Sequence, residues 1–193
     1  MNIKIRSIIN IFTILDGEIN ILLKNNEYII VDCFDNLEKI NDEYIANNLK
    51  ITNLNLKQCH TFSCKDEDEF KIDVLYIGVV NANDIKLDNN FIFVPISSCN
   101  IKESFLNIGL EYLKKELSIY GNIKKIYNNE FSLPEIQKIF EFILEKKIDR
   151  RNFRKKLIKM DIIESLEKID YNKKGRPAKL YKLKSKDDDF ILI

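Results

Sequence analysis

Glycine and histidine are scarce in this chain. Its 193 residues include five glycines and a single histidine, His60. So few glycines exclude a glycine-rich phosphate loop, and no Gly-x-Ser-x-Gly occurs. With one imidazole, a Cys or Ser nucleophile has no base unless His60 itself is central. The four cysteines, Cys33, Cys59, Cys64 and Cys99, lack C-x-x-C spacing. "CHTFSC" could offer Cys59, His60 and Cys64 to zinc. The plainer expectation is free thiols in a reducing compartment, His60 as an ordinary strand residue, and no metal or cofactor. No apolar run approaches the ~20 residues that span a bilayer. The N-terminal "MNIKIRSIINIF" carries Lys4 and Arg6 and is followed by no small-residue cleavage site. A cytoplasmic protein with no membrane partner is expected.

What is present is globular in composition, with 45% hydrophobic and 32% charged residues. The net charge of +1 hides an uneven distribution. Residues 131–186 hold 17 Lys/Arg against 8 Asp/Glu, a surplus of nine. The rest of the chain must balance this with −8, of which Asp187, Asp188 and Asp189 supply three. An acidic body joined to a basic module points to nucleic acid or a membrane surface as partner of the module.

The first part reads as α+β. "IRSIINIFTIL" and "EINILLKN" flank Asp16-Gly17, a hairpin turn signal, and "EYIIVDCF" is a further strand. "NLEKINDEYIANNLKI" then spaces Leu37, Ile40, Tyr44 (or Ile45) and Leu49 as a helix does. Strands follow at "NLKQCHTF", "EFKIDVLYIGVV" and "NFIFVPI", then a long helix with Leu106, Leu110, Leu113 and Leu117 as its stripe. The order predicts a mixed sheet with flanking helices. The character changes near Gly121. Ser132 and Glu135 form a capping box beside Pro134, and Ile136, Ile139, Phe140 and Ile143 line one helix face. Asp149 is the natural N-cap of the next helix. Last comes strand, basic tip, strand, with Lys173, Lys174, Gly175 and Arg176 at the tip. Helix, turn, basic helix and basic hairpin is the order of a winged helix-turn-helix.

The basic helix, "IDRRNFRKKLIKM", decides what this module touches. On a helical wheel Phe153, Leu157 and Met160 share a core-facing seam. Arg151 and Lys155 lie opposite, flanked by Asn152, Lys159 and Arg154. Cations in the first turn oppose the helix dipole, at a cost of ~0.3–1 kcal/mol. An external anion would offset that cost, and DNA fits: Arg pairs with guanine and Asn with adenine. The expected DNA-contacting set is Arg150, Arg151, Asn152, Arg154, Lys155 and Lys159 on the helix, with Lys173, Lys174 and Arg176 on the wing. Arg176, in "GRP", suits a narrow A·T minor groove. The plain alternative is a solvated basic helix.

"FSLPEIQKIFEFILEKKIDRRNFRKKLIKMDIIE" followed by "KKGRPAKLYKL" resembles the C-terminal domain of the Nudix-related transcriptional regulators of NAD metabolism. The resemblance covers about the last third of the chain. It implies a Nudix-like effector-sensing domain over 1–120, a winged helix-turn-helix DNA-binding domain over 121–186, and an acidic and apolar tail over 187–193. It also implies a homodimer that binds palindromic operators, usually as a repressor, with ADP-ribose as the best-known effector type.

A Nudix hydrolase needs Arg-Glu and then Glu-Glu on the helix after its loop, to hold Mg²⁺. Anchoring Leu37 puts Phe34 at the glycine position, Glu43 and Tyr44 at Arg-Glu, and Asn47 and Asn48 at Glu-Glu. Glu38, Asp42 and Glu43 remain as acids at other spacings. The expectation is a fold kept without its chemistry, hence no enzyme and no catalytic residues. Arg6, Lys24 and Lys71 are candidates to meet an effector's phosphates, and Phe62 to stack its base; the bland reading makes the three cations exposed sheet residues. Alternatives are a hydrolase with unorthodox ligands, a sugar-responsive regulator, or an RNA-binding or scaffolding protein.

Overall fold

The computed structural model describes residues 2–15, 17–51, 54–65, 69–101, 103–119, 123–124, 130–170 and 177–184. The chain divides into two compact units, residues 1–13 with 19–113, and residues 14–18 with 114–193.

The first unit is built on a six-stranded sheet. Its strands are β1 (Asn2–Leu15), β2 (Glu18–Lys24), β3 (Ile29–Cys33), β4 (Lys57–Lys65), β5 (Glu69–Val79) and β6 (Phe91–Pro95). The order is β4-β5-β1-β2-β6, with β3 also pairing with β1. β1 runs parallel to β5, from Asn2↔Glu69 to Phe12↔Val79, and antiparallel to β3. The sheet is therefore mixed, as the element order predicts. Gly17, after Asp16, adopts φ 71° in the turn between β1 and β2, a conformation that glycine takes without a Cβ penalty.

Successive strand residues point to opposite faces, and both faces are covered. Ile9 and Ile11 of β1 pack with Ile45 and Leu49 of α1 (Leu37–Leu49), together with Leu22, Ile29, Val31 and Phe91. The even-numbered Asn10 and Phe12 face α2 (Glu103–Leu117) instead. Asn10 Nδ2 donates to the Phe105 carbonyl at 3.1 Å. Gly109 comes so close that a Cβ there would lie 2.6 Å from Asn10 Nδ2. Leu106, Leu113 and Leu117 are buried as their stripe requires, while Leu110 is half-buried. On α1 the buried row is Asn41, Ile45 and Leu49; Ile40 and Tyr44 pack only partly. A polar side chain thus takes a core position that hydrophobic spacing gave to Ile40.

The second unit contains β7 (Phe131–Ser132), α3 (Leu133–Leu144), α4 (Arg150–Lys159), β8 (Ile163–Asp170) and β9 (Ala178–Leu183), with sheet order β7-β9-β8. α3 starts at the expected capping box, where Ser132 N donates to Glu135 Oε2 at 2.7 Å and Pro134 lies in the first turn. Ile136, Ile139 and Phe140 are buried. Phe140 meets Phe153 of α4 edge-on, with ring centroids 5.1 Å apart. Phe153 and Leu157 are buried and Met160 half-buried, so the seam of α4 faces the core. Truncating either buried Phe would cost about 3–5 kcal/mol.

Candidate nucleic-acid interface and a cavity beside the first helix

α4 is held in place before it reaches any partner. Its N-cap is Asp149, whose Oδ1 accepts from Asn152 N at 2.9 Å. The preceding turn is locked by Glu141 of α3. Glu141 Oε1 accepts from Ile148 N at 3.0 Å and from Gln137 Nε2 at 2.9 Å, and Oε2 accepts from Lys147 Nζ at 3.1 Å. Gln137 Nε2 also donates to the Ile148 carbonyl at 3.0 Å. These donors, the Ile148 amide first, pull the Glu141 pKa down to about 2. The helix-turn-helix junction is therefore fixed by a carboxylate that stays charged.

With Phe153 and Leu157 inward, everything else on α4 faces out. Arg150, Arg151, Asn152, Arg154, Lys155, Lys156 and Lys159 are all exposed. None of these six cations has an acidic partner among the described residues. Lysines around the neighbouring hairpin differ: Lys168 pairs with Glu130, Lys182 with Glu164 at 3.4 Å, and Lys184 with Asp161. Salt bridges were thus available to this module, and among the described residues α4 makes none. Unpaired cations on one face keep their full field for a polyanion.

A cleft of about 710 Å³ opens beside the first turns of α4. Arg150, Arg151, Arg154 and Lys179 line it, with Pro134 and Tyr181 in its walls. Lys179, on the returning strand β9, was missed from sequence; its exposure between the inward-leaning Ala178 and Leu180 could have flagged it. Ile158 was also missed. It is 55% exposed on a helix otherwise basic outside, three residues after Lys155 and seven after Arg151, hence on their face. An apolar group there suits a thymine methyl. The wing residues Lys173, Lys174 and Arg176 lie outside the described residues; β8 and β9, before and after them in sequence, pair antiparallel as expected.

In the first unit each proposed effector contact is already engaged. Arg6 Nε and Nη2 donate to the two carboxylate oxygens of Asp73 at 2.7 and 2.8 Å, and this hydrogen bonding holds the Arg6 pKa above its ordinary value. Lys71 lies 3.6 Å from Glu69. Lys24 donates to Tyr44 Oη at 3.1 Å, on the α1 side of the sheet. Phe62 packs edge-on against Phe105 and His60, on the α2 side. Lys24 and Phe62 thus serve opposite faces, and the four do not line one pocket. His60 and Cys64 are exposed on β4, where Cys59 is buried. No group of three metal-ligating side chains occurs among the described residues.

A cavity of this unit lies elsewhere. It measures about 340 Å³ and is lined by Glu38, Asn41 and Asp42 of α1, by Leu54, Asn55 and Leu56, and by Gln58 and Tyr76. Asn41 is 1% exposed, and neither atom of its amide has a partner among the described residues. Burial pushes the Tyr76 phenol pKa up, and the nearby Glu38 charge adds to this. The Mg²⁺ set of a Nudix hydrolase does not fit α1. Asn47 is exposed, and Asn48 Nδ2 turns back to the Tyr44 carbonyl at 2.8 Å. Glu38 and Asp42 are the two carboxylates at the cavity.

Fold and interface together define a two-domain class, a Nudix-like α+β sandwich followed by a winged helix. Residues 125–183 match the family of the NrtR DNA-binding winged helix domain. Shewanella oneidensis NrtR, solved in complex with a 27mer DNA, superposes with a TM-score of 0.64 at 18% identity, covering 93% of both chains. A MutT/nudix family protein from Enterococcus faecalis superposes with a TM-score of 0.59 at 14% identity, covering 95% of this chain and 87% of that one. No curated protein sequence matches the chain. Among the described residues, no helix is long and apolar enough to cross a membrane.

Proposed function

We propose that this protein is a sequence-specific DNA-binding transcriptional regulator, acting as a repressor, whose Nudix-like domain senses a small metabolite without hydrolysing it. The observation that carries the reading is the outward face of α4. Six exposed cations without acidic partners among the described residues lie on the second helix of a segment that matches a DNA-binding family. Arg151 and Asn152, in the first turn, are placed to read base edges; Arg150, Arg154, Lys155, Lys159 and Lys179 meet phosphates. Lys173, Lys174 and Arg176 extend the contact into a minor groove. The 27mer DNA bound by Shewanella NrtR supports a duplex as partner. ADP-ribose is the effector that the family resemblance implies. The amides of Asn47 and Asn48, in place of two carboxylates, support a sensor without catalysis.

The test is selection of duplexes from a random pool, followed by competition against random DNA at matched salt. A regulator prefers its selected site by roughly 10³–10⁷. A preference below tenfold would return the module to RNA binding or scaffolding. The pair Glu38 and Asp42 favours a second reading, a metal-dependent hydrolase with unusual ligands. Incubating the full chain with ADP-ribose and Mg²⁺ separates the two: cleavage establishes the hydrolase.

A further inference from the structure

The cleft beside α4 and one stretch of the sequence have matching chemistry. Four exposed cations line the cleft, Arg150, Arg151 and Arg154 of α4 and Lys179 of β9. None of them has an acidic partner among the described residues. The acid in the lining, Asp149, is already taken up as the N-cap, accepting from Asn152 N at 2.9 Å. Pro134, Ala178 and Tyr181 add apolar walls. The cleft therefore suits an occupant that carries anionic and apolar groups side by side.

Such an occupant is written a few residues further along the chain. After Lys184 the sequence reads "SKDDDFILI", in which Asp187, Asp188 and Asp189 are followed by Phe190, Ile191, Leu192 and Ile193. These residues lie outside the described residues. Neither half of the stretch serves DNA binding. Carboxylates repel a duplex, and a run of large apolar residues is out of place in water unless it has a task. Reach decides whether stretch and cleft can meet. Lys179 lies five residues before Lys184, so at most ~18 Å of extended chain separates them. Asp189, five residues after Lys184, reaches as far, and Phe190 to Ile193 reach beyond it.

We propose that residues 187–193 dock in the cleft beside α4 when no nucleic acid is bound. The three carboxylates meet Arg150, Arg151, Arg154 and Lys179, and the apolar run meets Pro134, Ala178 and Tyr181. Surface ion pairs are individually weak, but a segment of the same chain meets the cleft at a high effective concentration. The docked segment covers cations assigned above to bases and phosphates, so a duplex must displace it. The docking stands independently of the DNA reading; only the competition rests on that reading.

The experiment compares full chains by heteronuclear NMR, and by fluorescence anisotropy on a random duplex. The parent is set against one variant with Asp187→Asn, Asp188→Asn and Asp189→Asn, and another with Phe190→Ser and Leu192→Ser. The second variant keeps every charge. In both, the amide resonances of Arg150, Arg154, Lys179 and Tyr181 are expected to shift from their parent positions, and duplex affinity to rise about fivefold or more. Cleft resonances unmoved in both variants overturn the proposal. Shifts in one variant alone overturn it equally: in the Asn variant they report bare net charge, in the Ser variant an apolar contact without ion pairs. Differences that vanish when the parent is diluted assign the docking to a second copy's segment and overturn the in-chain assignment. Shifts with unchanged duplex affinity overturn the competition and keep the docking. If neither parent nor variants bind any duplex, the regulator reading falls, and the resonances still decide the docking.

Discussion

Arg151 and Asn152 sit side by side in the first turn of α4, both exposed, and among the described residues Arg151 has no salt-bridge partner. At the selected operator, Arg151→Ala or Asn152→Ala is expected to cost about 1–3 kcal/mol and to relax the sequence requirement at one position. Lys155→Ala and Lys159→Ala should instead weaken every duplex alike and lower the salt slope by about one. Fluorescence anisotropy over a salt series distinguishes the two patterns; identical operator affinity for Arg151→Ala and the parent would remove the base-reading role. Ile158→Ser should lose affinity for sites with a thymine at one step and leave other sites unaffected. Asn41 makes a different prediction, because its amide is buried without partners. Asn41→Leu fills similar volume without a polar group, so the apo chain should gain about 1–3 kcal/mol in a denaturant titration. A loss of stability would mean that Asn41 has partners in the folded protein.

At the scale of elements, the turn between α3 and α4 carries its own pH dependence. The Glu141 carboxyl has its pKa lowered from 4.5 to about 2 by the Ile148 amide, Gln137 and Lys147. A lowered folded-state pKa means stabilisation that is complete above the unfolded value and lost as pH falls from 4.5 through 2. Parent and Glu141→Gln should therefore differ in denaturant midpoint at pH 6 and converge only as pH falls to about 2; a constant difference would remove the carboxylate from the account. Elements were the most legible feature of the sequence, because each carried its own local signal. The capping box at Ser132, the N-cap at Asp149 and the seam of Phe153 and Leu157 are set within one or two turns. The cavity was not legible. Its lining comes from α1, residues 54–56, β4 and β5, which no single periodicity connects. Asn41 was hidden because hydrophobic spacing passes over a polar residue in a core row. Arg6 was read as a candidate for an effector's phosphates because its partner, Asp73, is brought beside it by strand pairing that the sequence does not display; the Glu69 partner of Lys71 lies two residues away on the same strand and could have been read.

At the scale of the whole molecule, the charge split separates the two tasks, an acidic body and a module with nine surplus cations between residues 131 and 186. One winged helix covers only a short half-site, and a two-fold dimer doubles the base pairs read. We therefore expect a dimer by light scattering at micromolar concentration, with and without a palindromic duplex; a monomer in both would refute it. If a ligand in the first unit changes DNA affinity by some factor, DNA must change ligand affinity by the same factor. The parallel pairing of β1 with β5 sets a further condition, one of timing. Residues 2–12 find their partners at 69–79, so the central strand waits for a segment made much later. During synthesis the first strand leaves the ribosome with one long edge open, and an open edge of this kind can pair with the wrong chain. The charges on β5 reach the nascent domain just as that edge is about to close. The basic module, residues 131–186, is made after these strands, so it is complete only once the sheet has had its chance to form.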